Sequence, residues 1–111
     1  MGVYDTATKL ASDIKDSKEY RNFIKSMQEV KNDKECEKLL KDYRTIQMQV
    51  QSYAIKNQQI DKKSIMRVEN TQKKVSKNKK LSNYLANEKK FTLMMENINK
   101  ILAETVEKDY K

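Results

Sequence analysis

Apolar residues recur along this chain at helical intervals. From Cys36 onward, Leu39, Tyr43, Ile46, Val50, Tyr53, Asn57 and Ile60 follow at alternating steps of three and four, the spacing that sets every member on one edge of a helix. If residues 34 to 57 are all helical, the rod runs about 36 Å at 1.5 Å per residue. Its sticky edge then needs a companion of similar length. A second run has the same alternation: Leu81, Tyr84 or Leu85, Glu88, Phe91, Met95, Ile98, Leu102, then Thr105 or Val106. The C-terminal rod that it defines is the expected companion. Shorter patterns fill the rest: Val3, Ala7, Leu10 and Ile14; Tyr20, Phe23, Ile24, Met27 and Val30; Ile65, Val68, Gln72 and Val75. The pattern predicts an all-α fold, an elongated helical bundle of about five segments built on a long antiparallel helical hairpin, in one domain over residues 1 to 111.

The joints between segments are polar. Ser17 is placed to cap a second helix, Asn32 with Glu35 three residues later resembles a capping box opening the long helix, Asp61 can open the fourth and Asn78 the fifth. Lys56-Asn-Gln-Gln-Ile-Asp61 is the expected chain reversal, where the rods turn antiparallel. Asn57, Gln72 and Glu88 fall on seam positions. There they either fix register or stand at exposed ends of the seam. Tyr43, Tyr53 and Tyr84 at this spacing are core side chains with a hydroxyl at the edge. Met48, Met66, Met94 and Met95 either fill gaps in a core or line an adaptable groove for a partner helix.

Composition excludes much chemistry. The 111 residues include no Pro, no His, a single Gly at position 2 and a single Cys. Tight hairpin turns, phosphate loops and dinucleotide-binding turns lack their glycines. Without His there is no imidazole base or zinc ligand, and one Cys makes neither an internal disulfide nor a Cys-x-x-Cys site. Cys36, the first apolar position of the seam, is flanked by Glu35 and Glu37 and reads as a core residue. Acidic pairs such as Glu104 and Glu107 have lysines at helical spacing and read as solvated faces. No catalytic residue, metal site or cofactor is expected. No apolar run reaches the 18 residues of a membrane span and no signal peptide is evident, so the expected location is the cytoplasm.

Only 37% of residues are hydrophobic and 36% are charged, so the chain by itself makes a modest core. Surplus seam is then expected to bind another chain. Leu39, Tyr43, Ile46, Val50, Tyr53, Phe91, Met95, Ile98 and Leu102 are the candidates for a helix seam or an oligomer interface. The net charge of +8 is uneven. Lys62, Lys63, Arg67, Lys73, Lys74, Lys77, Lys79 and Lys80 face the single acid Glu69 within residues 62 to 80, which concentrates a positive field there. The scarcity of Arg and the lack of aromatics among these lysines point away from base readout, so nucleic-acid binding at this segment would be sequence-blind and salt-sensitive.

The order of short motifs is similar to that of a known family. Tyr4-Asp5 with Ala7 and Leu10, Ser17-Lys-Glu-Tyr20, Asn32-Asp33 leading into Leu39, Leu40, Tyr43-Arg44 and Gln47, then Leu85, Glu88, Glu96, Asn99-Lys100-Ile101, Glu107 and Tyr110 resemble the YlbF/YmcA family of small bacterial helical proteins, the far end matching its YheA-like branch. The resemblance implies an elongated all-α fold that dimerises or joins mixed complexes with related helical proteins. It also implies a regulatory role, since some members influence ribonuclease Y and through it competence, sporulation and biofilm formation. Some relatives hold iron–sulfur clusters on several cysteines, which Cys36 alone does not match. The expected function is therefore a non-enzymatic adaptor or regulatory protein that acts through helix-mediated association, as a homodimer. The alternative is a sequence-nonspecific RNA-binding module using Lys62 to Lys80.

Overall fold

The computed structural model describes residues 2–110. Five helices follow in order: α1 (Val3–Asp16), α2 (Lys18–Lys31), α3 (Lys34–Ile55), α4 (Lys62–Lys77) and α5 (Lys79–Tyr110). There is no strand among the described residues. The fold is all-α with five segments, as the periodicity predicts.

Each joint is closed by a short polar side chain. Ser17, in an extended conformation, ends α1 by giving its N–H to Ile14 O at 3.1 Å, and its Oγ accepts from Tyr20 N at 3.2 Å to start α2. Asp61 Oδ1 accepts from Ser64 N at 2.7 Å at the start of α4. Asn78 has two roles: it terminates α4, and its Oδ1 accepts from Leu81 N at 3.0 Å to open α5. The opening of α3 differs from the sequence reading by one residue. Asp33, not Asn32, is the cap, accepting from Cys36 N at 3.2 Å, because Asn32 still closes the last turn of α2 with its N–H on Gln28 O at 3.0 Å while Asp33 is the extended residue directly before α3.

The reversal falls where expected. Lys56 ends α3, and Asn57 enters the left-handed region at φ 55°. Gln58 N then donates back to Tyr53 O at 2.9 Å and Asn57 N to Ala54 O at 3.2 Å. This is a Schellman closure with Asn in the place glycine usually takes. Asn57 thus ends the helix, is exposed, and is no part of the seam.

The chain divides into two compact units. One comprises the chain up to Ser26 together with the chain from Leu85 onward; the other is Met27–Tyr84. In the second unit α3 and α4 lie along one another across the reversal. The companion of α3 is therefore α4, and the expectation that the C-terminal rod would take that place is corrected. Ile46 of α3 is buried, with Leu39, Tyr43, Val50 and Tyr53 half-buried on the same edge. On α4 the shielded positions are Ser64, Val68, Thr71 and Val75, while Ile65 and Gln72 are exposed. The inward face is turned from the one the apolar residues alone mark out. Thr71, nearly the shape of valine, stands between Val68 and Val75 and is the buried member.

In the first unit, Phe91 of α5 stacks on Phe23 of α2, ring centroids 5.2 Å apart and planes at 6°, and meets Tyr20 edge-on at 5.7 Å. Ser26 is buried and gives its hydroxyl to Phe23 O at 2.9 Å.

Candidate functional site

The second unit joins two helix N-termini. Asp33 at the start of α3 and Asn78 at the start of α5 stand next to each other: Lys80 Nζ reaches Asp33 Oδ2 at 3.2 Å, and the Cys36 thiol donates to Asn78 Oδ1 at 3.6 Å. Cys36 and Leu81 are both 0% exposed, and Val30 and Tyr84 are buried in the same unit. Burial, with the Asp33 charge close by, pushes the Cys36 thiol above its ordinary value, so the group stays protonated and unreactive at neutral pH. Asp33 is held below the usual carboxylate range, first by the Cys36 N–H and then by the Lys80 ammonium. Asp61 is lowered in the same way by Ser64. These groups are structural.

A cluster of the kind some relatives carry takes several thiolates. A lone thiol sealed in a core does not fit one. Among the described residues no three of Cys, Asp and Glu stand close enough to hold a metal ion.

Two surfaces remain as candidate sites. The first belongs to the first unit and is apolar. An open groove of about 520 Å³ is lined by Leu93, Met94 and Ile98 with polar neighbours including Glu19, Asn22 and Lys90. Phe91, Met95 and Ile98 are half-buried. Farther along α5, Ile101 is 66%, Leu102 55% and Val106 59% exposed. On α1 no residue is buried, and Val3 and Tyr4 stand in solvent.

The second surface is the outward side of α4. Lys62, Lys63, Arg67, Lys73, Lys74 and Lys77 are all exposed on it, and Lys79 and Lys80 open α5. Of the nine seam candidates, Tyr43, Ile46 and Val50 line a groove of about 280 Å³ with Val68, Thr71 and Gln72 of α4. Leu39 and Tyr53 share their edge of α3, and Phe91, Met95, Ile98 and Leu102 lie in the first unit. The sequence reading missed Thr71 and Ser64. Their only signal is position, three and four residues from the valines of α4.

Over residues 3–107 the sequence matches a known family profile, described as control of competence regulator ComK, YlbF/YmcA. The chain belongs to the YlbF/YmcA family. Among curated relatives, this YlbF/YmcA chain is 31% identical to a UPF0342 protein of Clostridium novyi (strain NT) over 99% of its own length and 96% of the relative's. It is 30% identical to one of Clostridium tetani over 98% and 94%. A solved structure, a protein of unknown function (DUF964) from Bacillus stearothermophilus, superposes with a TM-score of 0.77 at 17% identity, covering 95% of this chain and 92% of that one. That likeness concerns the fold alone. The family's description is regulatory rather than enzymatic. No helix among the described residues is long and apolar enough to cross a membrane.

Proposed function

We propose that this chain is a non-enzymatic regulatory protein in the control of competence, working through helix-mediated association with a second copy of itself and with related helical partners. The observation that carries the reading is the far end of α5. Ile101, Leu102 and Val106 recur at helical spacing and remain in water, on a helix of 32 residues. Apolar surface concentrated in this way marks a binding face rather than scattered exposure, and a chain of this size gains most by burying it against another copy. The residue inventory supports the non-enzymatic part: there is no imidazole, and the one thiol is buried and protonated.

Sedimentation equilibrium at micromolar concentration tests it. The wild type is expected to run as a dimer, and the double variant Ile101→Asp/Leu102→Asp as a folded monomer with unchanged helix content. A wild type that stays monomeric up to about 100 μM, a concentration that reveals any association stronger than about 5.5 kcal/mol, sinks the self-association. Deleting the chain from its host and scoring DNA uptake tests the link to competence, with unchanged uptake counting against it.

A further inference from the structure

The outward side of α4 is a stripe of positive charge. At 100° per residue, Lys62, Lys73, Lys77, Lys63, Lys74 and Arg67 fall within an arc of about 140°, and only Met66 and Asn70 share it. All eight side chains are exposed. Glu69, the one acid of the helix, lies just beyond the Lys62 edge, and the opposite side, Ser64, Val68, Thr71 and Val75, is the shielded one. Among the described residues none of the six cations forms an ion pair within 4.0 Å, whereas Lys80 is taken by Asp33. Lys63 lies near enough to Asp61 to lower that carboxyl. Along one flank an open groove of about 430 Å³ runs between α3 and α4, lined by Lys63, Arg67, Asn70 and Lys74 over Met66, Ile46 and Thr71, with Asp42 as its one acid.

We infer that this face of α4 binds the phosphate backbone of a nucleic acid without reading its sequence. Three features select that occupant. The first is pitch. Six cations are spread over about 22 Å of helix at 1.5 Å per residue, and one strand of a duplex presents about one phosphate per 3.4 Å, six or seven over the same length. The second is residue type. Interfaces between proteins are depleted of lysine and rich in aromatic and apolar anchors, and here five of six cations are Lys with Met66 alone as an apolar member. The third is the fate of the apolar side of α4. A helix that lies on a lipid surface inserts its apolar face, but Val68 and Val75 are turned inward and shielded. The absence of aromatics in the stripe leaves no platform for stacked bases, so the contact is to backbone. The inference is independent of the self-association proposed above.

Fluorescence anisotropy with labelled 20-nucleotide single-stranded RNA, 20-base-pair RNA and 20-base-pair DNA of mixed sequence tests it on the full chain. Binding is expected at micromolar protein in 50 mM salt, alike for unrelated sequences of one type, and for the duplexes about a hundredfold weaker at 200 mM if four phosphates are neutralised. The three probes distinguish RNA from DNA. Lys63→Glu/Arg67→Glu/Lys74→Glu, whose side chains are exposed, is expected to keep its helix content and lose binding more than tenfold. Lys9→Glu/Lys25→Glu/Lys108→Glu, with the same change in net charge elsewhere, is expected to stay within threefold. No binding of any probe at 50 μM protein and 50 mM salt overturns the inference. Equal loss in both triple variants also overturns it, as does binding to phosphatidylglycerol vesicles or polyglutamate in the absence of binding to the oligonucleotides.

Discussion

Leu81 and Cys36 are the two most completely enclosed apolar side chains of the second unit, and both stand in the first turn of a helix whose cap is bonded to a first-turn side chain of the other. Truncating Leu81 leaves a hole that the two capped helix starts have no freedom to close. Leu81→Ala is expected to cost about 2–5 kcal/mol in urea unfolding, more than truncating any residue of the exposed α1. The acids at these joints set a pH dependence. Asp33 and Asp61 are held below the ordinary carboxylate range by hydrogen bonds to Cys36 N–H and Ser64 N–H, with Lys80 adding to the first. A carboxyl lowered by folding contributes stability that is full above its unfolded value and disappears as pH falls through its folded one. The melting temperature is therefore expected to hold from pH 7 to about 5 and to drop below about 4. Asp33→Asn, which keeps an acceptor but no charge, should flatten that acid limb in a circular-dichroism melt series, and an unchanged limb would refute the assignment.

At the level of elements, the segments were legible and their neighbours were not. The edge of α3 could be read because Leu39, Tyr43, Ile46, Val50 and Tyr53 are apolar without exception, and all five are shielded. That of α4 could not, because two of its four inward positions are Ser64 and Thr71, whose hydroxyls a hydrophobicity pattern counts as polar. Ile65, taken for a member of the face, is 43% exposed. The joints show the same division. Ser17, Asp61 and Asn78 cap where their residue types suggest, yet at Asn32-Asp33 two capable residues are adjacent and only the geometry of the turn selects the second. The reversal depends on Asn57 holding a left-handed conformation. A β-branched residue pays for that conformation with a clash between Cβ and the backbone. Asn57→Val is expected to lose about 1–2 kcal/mol, and Asn57→Gly to stay close to wild type, in the same denaturation assay.

Over the whole molecule, the two surfaces follow from how little of this chain is apolar. Among the described residues the buried apolar side chains are Val30, Cys36, Ile46, Leu81 and Tyr84, whereas Ile101, Leu102 and Val106 are left in water at the end of α5. A protein stabilised by pairing with a second copy has a thermal midpoint that rises with its concentration. The midpoint is expected to climb by several degrees between about 1 and 100 μM wild type and to be independent of concentration for Ile101→Asp/Leu102→Asp. The eight-residue basic segment also resolves at this scale. Six of its members share the outward side of α4, while Lys79 and Lys80 belong to α5 and Lys80 is engaged with Asp33.

The amino-acid order by itself determined the class of structure: five helices, their polar joints, the chain reversal at residues 56–61, and the absence of any imidazole. These follow from local physics, since a period of 3.6 and a short polar cap act over a few neighbouring residues. Only tertiary structure decided that α4 lies along α3 and that Phe91 packs on Tyr20 and Phe23. It also decided that Thr71 is inside while Ile65 is outside. A heptad edge records that a helix has a face to bury but not against which helix, because apolar contact is non-directional and many pairings cover similar area. The choice among them is made by shape and by the caps that fix where each helix begins.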